Sequence, residues 1–294
     1  MRPNSDFLDN LIDKPFLLLD HGYLMVKDYM GTEQGIVDSA RVSYGRGTSR
    51  GLEDPKLLRY LLRHKHTSPF EMAEIKIHVK LPIFVARQWI RHRTAAVNEY
   101  SGRYSIMDKE FYLPNPEQLA AQSQTNKQGR GRLLSSSESA RVLQILKEDC
   151  ARSYDHYLEM ANVDEEGEPL DNGKDGLARE LARMGLSLNF YTQWYWKTDV
   201  HNLLHFIHLR ADSHAQYEIQ VYAEVLKNIL KGWLPNVYQA AVDYKFEATT
   251  MSRMEMEVLR FFADQLPKQG VEVMLDKLGL VGRERKEFYT KLGL

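Results

Sequence analysis

Cysteine is all but missing: Cys150 is the only one in 294 residues. A lone thiol makes no internal disulfide and builds no cysteine-based zinc site, and its solitude fits a reducing compartment. Long apolar runs are missing too. Stretches such as Phe16 to Leu19 and Leu81 to Ala86 fall far short of the roughly 18 residues that a membrane span requires. The amino terminus carries Arg2, Asp6, Asp9 and Asp13 without an apolar h-region. Neither a secretory signal nor a basic transit peptide is therefore expected, and a cytoplasmic location follows. Net charge is almost absent, with 39 basic against 40 acidic residues, so no whole-protein field attracts polyanions. An anionic ligand must meet a local cluster instead. No G-x-G-x-x-G follows a strand and no G-x-x-x-x-G-K-[ST] occurs, which excludes Rossmann and P-loop phosphate turns.

What is present is the composition of a globular protein: 43% hydrophobic and 27% charged residues leave no room for a disordered or fibrous reading. Residues Phe16 to Asp28 read as strands around Asp20-His21-Gly22, and Glu33 to Val42 as a short helix. A Gly/Ser/Arg loop follows at 45–51. Asp54 and Pro55 then open a Leu-rich helix that ends near His64. From Ala73 to Leu81 the odd positions are apolar and the even ones polar, the clearest strand signal in the chain. Pro82 opens a helix to Arg91 that places Arg87 and Arg91 one turn apart, and a polar loop runs on from Arg93 to Tyr104. Phe111 to Leu113 reads as a strand, and the polar stretch Gln122 to Ser137 as mobile.

Helices are expected at Ala140 to Met160, Gly176 to Met184, Val200 to Arg210, Ala215 to Gly232 and Asn236 to Phe246, with an aromatic strand at Asn189 to Trp196. Its aromatic side chains suit either a subunit interface or an ordinary buried strand. Irregular interleaving points to an α+β fold: a central, mostly antiparallel sheet flanked by helices, with a helical C-terminal tail. The expected division is 1–246 and 247–294.

Polar chemistry is densest between Arg87 and Arg103, where Arg87, Arg91, Arg93, Arg103 and His92 face one acid, Glu99. Arginine forks bind phosphate bidentately, and Ser101 and Gly102 add a hydroxyl and an unobstructed N–H. A solvated basic helix end accounts for the same composition. His201, His205 and His208 share one helical face, with Arg210, Asp212 and His214 beyond. That spacing suits a metal, a buried ligand or an interface, but the Glu of H-E-x-x-H is missing and no metal is expected. Ser68 and Glu71 stand at capping-box spacing.

In order, these segments resemble the flavin-dependent thymidylate synthases. The family signature R-H-R, seven residues, S stands here as Arg91-His92-Arg93 and Ser101. Around it lie HTSPFE at 66–71, FVARQWIRHR at 84–93, NEYSGRYS at 98–105 and LHFIHLRADSHAQYEIQ at 204–220. The resemblance covers roughly residues 14–245, which makes 1–246 the catalytic domain and 247–294 an appendage.

It implies conversion of deoxyuridylate (dUMP) to thymidylate (dTMP), with methylenetetrahydrofolate as carbon donor, NADPH as reductant and FAD as cofactor. It also implies a homotetramer with shared active sites, and neither nucleic acid nor membrane as partner. Gln88, Arg91, Glu99, Ser101, Gly102, Arg103, Arg183 and Arg210 match the dUMP contacts. Arg103 and Arg183 suit the phosphate, and Arg210 suits charge developing on the ring. Ser68, Glu71, Arg91, His92, Arg93, Asp199, His201, His205 and His214 match flavin contacts. His66 matches a residue that stacks against the folate or nicotinamide over the flavin ring, and with Arg210 and Ser101 makes the catalytic set, Ser101 as a binder rather than a nucleophile. Ser68 departs from the family's common threonine. Thiolate-dependent thymidylate synthases, an unrelated fold, use a cysteine nucleophile; Cys150, beside Glu148 and Asp149, lacks that motif. Two readings outside the family remain open: an RNA- or nucleotide-binding module that uses the Arg87 to Arg103 patch without catalysis, and a histidine-ligated metalloenzyme.

Overall fold

A computed structural model describes residues 4–42, 54–124, 129–263, 265 and 268–293. The loop read at 45–51 lies outside the described residues. Contacts divide the chain into two units, Met1–Phe246 and Glu247–Leu294.

The first unit is built on strands β1 (Phe16–Leu18), β2 (Gly22–Met30), β3 (Glu74–Pro82), β4 (Ala96–Glu99) and β7 (Tyr191–Asp199). They form one sheet in the order β1-β2-β3-β7-β4, every neighbouring pair antiparallel. A separate hairpin pairs β5 (Ala120–Gln122) with β6 (Arg130–Leu133). Its helices are α1 (Asp6–Asp9), α2 (Glu33–Arg41), α3 (Asp54–Arg63), α4 (Ile83–Trp89), α5 (Ser136–Ala161), α6 (Arg179–Ala182), α7 (Val200–Arg210), α8 (Tyr217–Trp233) and α9 (Pro235–Ala241). The second unit holds α10 (Arg253–Ala263), α11 (Lys268–Lys277) and α12 (Gly282–Leu292). No described helix is long and apolar enough to cross a membrane.

Alternation decides which face of the sheet is dry. Ile75, Ile77, Val79 and Leu81 of β3 are fully buried, and Thr192, Trp194, Trp196 and Thr198 of β7 turn inward at the same period. Tyr195 points the other way and stacks on His78, ring centroids 4.8 Å apart. The two tryptophans of the aromatic strand thus belong to the chain's own core. Trp89, at the end of α4, packs against Phe206 of α7 at 4.5 Å and Trp196 at 5.5 Å. Each such fully buried large side chain contributes about 1.5–3 kcal/mol. A second cluster of Met107, Tyr154, Tyr157, Ala182 and Phe190 ties α5 to the loop after β4. Tyr154 donates to the Met107 carbonyl at 2.8 Å, and the Met107 N–H donates to the Tyr157 hydroxyl at 3.3 Å.

Local boundaries depart from the sequence reading where tertiary contacts compete with pattern. The polar loop after Arg93 contains β4, whose residues are all exposed on their side chains and so carry no alternating signal. It forms because β7 offers it a free edge. α4 stops at Trp89, so Arg91 lies past the helix rather than one turn on from Arg87; the His92 N–H closes the turn on the Trp89 carbonyl at 2.9 Å. Phe111 makes only an isolated bridge to Phe190. The helix expected at Gly176 to Met184 shrinks to α6 and a 3-10 turn, and that at Asn236 to Phe246 ends as a π-turn over Val242–Phe246. Within Gln122 to Ser137, the stretch expected to be mobile, β6 is anchored by Arg130, which pairs with buried Glu218; residues 125–128 lie outside the described residues. Ser68 and Glu71 form no capping box: Glu71 is the middle residue of a 3-10 turn, Phe70–Met72, with no side-chain cap, and its N–H reaches only the Ser68 carbonyl.

Candidate active site

The loop after β4 carries the first group of candidates. Glu99 is the last residue of β4, and its Oε1 accepts from the buried Thr192 hydroxyl of β7 at 2.8 Å. Antiparallel pairing therefore aims the carboxylate. Glu99, Ser101, Gly102, Arg103 and Arg183 line one cavity of about 710 Å³. A Cβ on Gly102 would stand 2.7 Å from Met107 Sδ and 3.4 Å from Arg183 Cδ, so only glycine leaves this wall open. Ser101 Oγ accepts from the Arg103 N–H at 3.4 Å, the one hydrogen bond it makes among the described residues. Among the described residues no side-chain base is hydrogen-bonded to it, as a serine nucleophile would need.

A second cavity, about 380 Å³, opens where the turn after α4 meets α7, and is lined by Arg91, His92, Arg93, His205 and Arg210 among others. Arg210, on the last turn of α7, donates through Nε to His92 Nε2 at 3.1 Å and through Nη2 to the Gln88 carbonyl at 3.1 Å. Burial, then the charges of Arg210 and His205, push His92 down to about 4, so it stays neutral with its proton on Nδ1. Burial and the neighbouring Arg91 charge also pull Arg210 below its usual value. His205 is lowered by burial, then by Lys245, His201 and His208.

His66 stands apart from both groups. α3 closes in a Schellman turn: the His66 N–H bonds the Leu61 carbonyl, the Lys65 N–H bonds that of Leu62, and Lys65 takes φ +58°. This throws His66 off the helix end, where it lines a cavity of about 270 Å³ with Lys65, His201 and Lys245. It also lines one of about 600 Å³ with Ser68.

Arg103 and Arg183 line one cavity, Arg91 and Arg210 another. His201 and His205 likewise separate, although they share a helix face. Asp199 caps α7, its carboxylate accepting from the N–H and side chain of Asn202 at 2.9 and 2.8 Å. His214 is exposed and hydrogen-bonded to Asp212 at 2.9 Å. Among the described residues no group of three His, Cys, Asp or Glu could hold a metal ion. Thr192, Lys65 and Lys245 escaped the sequence reading. Thr192 had a usable signal, its period-two spacing with Trp194; the lysines had none, since a helix stop and a π-turn bring them together.

The family model described as thymidylate synthase complementing protein matches residues 25–236. A flavin-dependent thymidylate synthase of Rickettsia bellii is 52% identical over 286 residues, 97% of this chain and 95% of that protein. One from Gluconobacter oxydans is 53% identical over 291 residues, 99% of this chain and 91% of the relative. Among solved structures, the UMP/dUMP methylase PolB from Streptomyces cacaoi, bound with 5-Br dUMP, is similar with a TM-score of 0.66 at 27% identity. That match covers 79% of this chain and 99% of PolB. With the family model spanning most of the first unit and relatives of this identity along nearly the whole length, the chain belongs to the flavin-dependent thymidylate synthases.

Proposed function

We propose that the chain methylates dUMP to dTMP, using methylenetetrahydrofolate as carbon donor, NADPH as reductant and FAD as cofactor, with no enzyme thiolate. The observation that carries this reading is a pair of arginine-bearing cavities, one with Arg103 and Arg183 beside Ser101 and Gly102, the other with Arg91 and Arg210. The first suits a phosphate, since two guanidiniums and an open backbone N–H converge there. In the second, the Arg210 guanidinium is held by neutral His92 and stands ready to stabilise negative charge developing on a pyrimidine carbonyl oxygen.

The chemistry of the second cavity also fits the flavin. Its lining holds three arginines and two histidines and no carboxylate, a donor set suited to a diphosphate. Arg91, His92, Arg93 and His205 would hold FAD, aided by Ser68, Glu71, Asp199, His201 and His214. When bound, FAD supplies hydride transfer. His66 would cover the reacting groups. Cys150 supports the thiolate-free route: it is 4% exposed, hydrogen-bonded to Ser187 and Asn189, and lines none of the four cavities described above.

Arg103 and Arg183 line a different cavity from Arg91 and Arg210, yet all four match contacts to one dUMP. A homotetramer that sets Arg103 and Arg183 of one copy against Arg91 and Arg210 of another completes the site, and the chain works in the cytoplasm. Tritium release from 5-labelled dUMP, with FAD, NADPH and methylenetetrahydrofolate omitted in turn, tests the reaction. Release that needs all three is expected; a colourless protein that gains no flavin absorbance on adding FAD overturns the reading.

A further inference from the structure

Glu218, on the first turn of α8, is 2% exposed, yet it faces four donor hydrogen bonds. Arg130 Nη2 from β6 reaches its Oε1 at 2.6 Å and Oε2 at 2.7 Å. Tyr112 donates its hydroxyl to Oε1 at 3.0 Å, and Gln216 Nε2 donates to Oε2 at 2.9 Å. Gln216 in turn accepts, through Oε1, from Gln88 Nε2. Gln88 is the dUMP-contact candidate whose carbonyl receives Arg210.

The chain of bonds has a direction, and the carboxylate sets it. An ionised carboxylate only accepts, so Gln216 must turn its NH2 toward Glu218 and its Oε1 toward Gln88. Gln88 must then give its own NH2 to Gln216, leaving Oε1 and one N–H for whatever lies beyond. An isolated glutamine amide is free to flip; in this one the hydrogen bond to Gln216 favours a single orientation. Burial alone pushes Glu218 up, but the hydrogen bonds from Arg130 and Gln216 outweigh it and hold the carboxyl below its usual value.

We propose that Glu218 is a positioning residue whose carboxylate, through Gln216, locks the Gln88 amide with Oε1 toward the pyrimidine and thereby selects uracil over cytosine. The inference rests on the reading of Gln88 as a dUMP contact. Uracil N3 carries a hydrogen that Oε1 can accept, and its neighbouring carbonyl oxygen suits the remaining N–H. Cytosine in the same place offers a lone pair at N3 and an amino group beside it, so both contacts become repulsive. A site built to hydrogen-bond one edge rejects the other strongly, because buried polar groups are left unpaired.

The test measures calorimetric affinities of the flavin-loaded protein for dUMP and dCMP. Glu218→Gln replaces an acceptor by an amide that presents either end, and Gln216→Met breaks the relay at an exposed residue. Both should lower the dUMP/dCMP affinity ratio by roughly ten-fold or more. Tyr112→Phe removes another partner of Glu218 without touching the relay, and should lower thermal stability with the ratio unchanged. A ratio that Gln216→Met leaves intact overturns the proposal, as does a fall in Tyr112→Phe equal to that in Glu218→Gln. If Glu218→Gln does not fold, Gln216→Met decides alone. A wild-type protein that binds dUMP no better than dCMP overturns the functional reading itself, which separates the two failures.

Discussion

The Nε–H of Arg210 donates to Nε2 of His92 across 3.1 Å, joining the last turn of α7 to the turn after α4. A guanidinium never accepts, so this bond demands a His92 that is unprotonated at Nε2. The same two residues therefore link the acid–base state of one segment to the position of a cation on another.

That linkage has a sign. His92 titrates near 4 in the folded chain against 6.5 when unperturbed. Between those values the unfolded chain binds the extra proton, so stability falls as pH drops from 6.5 toward 4 and levels off below. His205, also lowered, adds to the slope in the same direction. Thermal denaturation of His92→Gln, whose amide oxygen can still accept from Arg210, should show a shallower loss over this window. An unchanged slope would remove His92 from the account.

Arg210→Ala should cost about 100- to 1,000-fold in turnover, the usual effect of removing one donor to a developing anion. Circular dichroism should report a folded protein, because the side chain lies at the edge of a cavity rather than in the core. Ser101→Ala should weaken dUMP binding while turnover at saturation persists. Complete loss of turnover with affinity intact would instead make Ser101 a nucleophile.

Gly102→Ala places a methyl group 2.7 Å from Met107 Sδ, beside Arg183. The methionine is unbranched and can give way, so the fold should survive with a small drop in Tm. The wall of the cavity moves with it, and KM for dUMP should rise about ten-fold or more. An unaltered KM would place the phosphate elsewhere.

Shared sites predict complementation. Arg183→Ala and Arg210→Ala should each be nearly inactive alone, yet mixed oligomers formed by co-expression should regain activity, because some sites combine intact cavities from two copies. Steady-state rates of the purified mixture check this. No recovery at any ratio would mean that each chain holds a complete site.

How far the sequence reached is clearest at β3 and β4. Alternation in β3 predicted a half-buried strand, and the strand is there from Glu74 to Pro82. β4 has no buried residue and no alternation; its backbone pairs with β7 because that edge was open, a fact about a strand far along the chain, where Ala96 meets Lys197 and Glu99 meets Trp194. Arg130 makes the same point within a stretch whose polar composition suggested mobility. Its partner Glu218 is distant in sequence and dry in space, and only folding brings them together.

The residues that match the family signature were legible because chemistry recurs with type and spacing: Arg91-His92-Arg93 and Ser101 need no coordinates to be found. Their grouping was not. Local pattern records which side chains a segment carries, and so determined the α+β fold class, the missing phosphate loops and the list of candidate residues. Tertiary structure alone decided that Arg103 and Arg183 line one cavity while Arg91 and Arg210 line another, and that Gln216 bridges Glu218 to Gln88. The physical reason is that sheet pairing, helix ends and buried charge pairs are satisfied by partners far along the chain, and no window of sequence contains both.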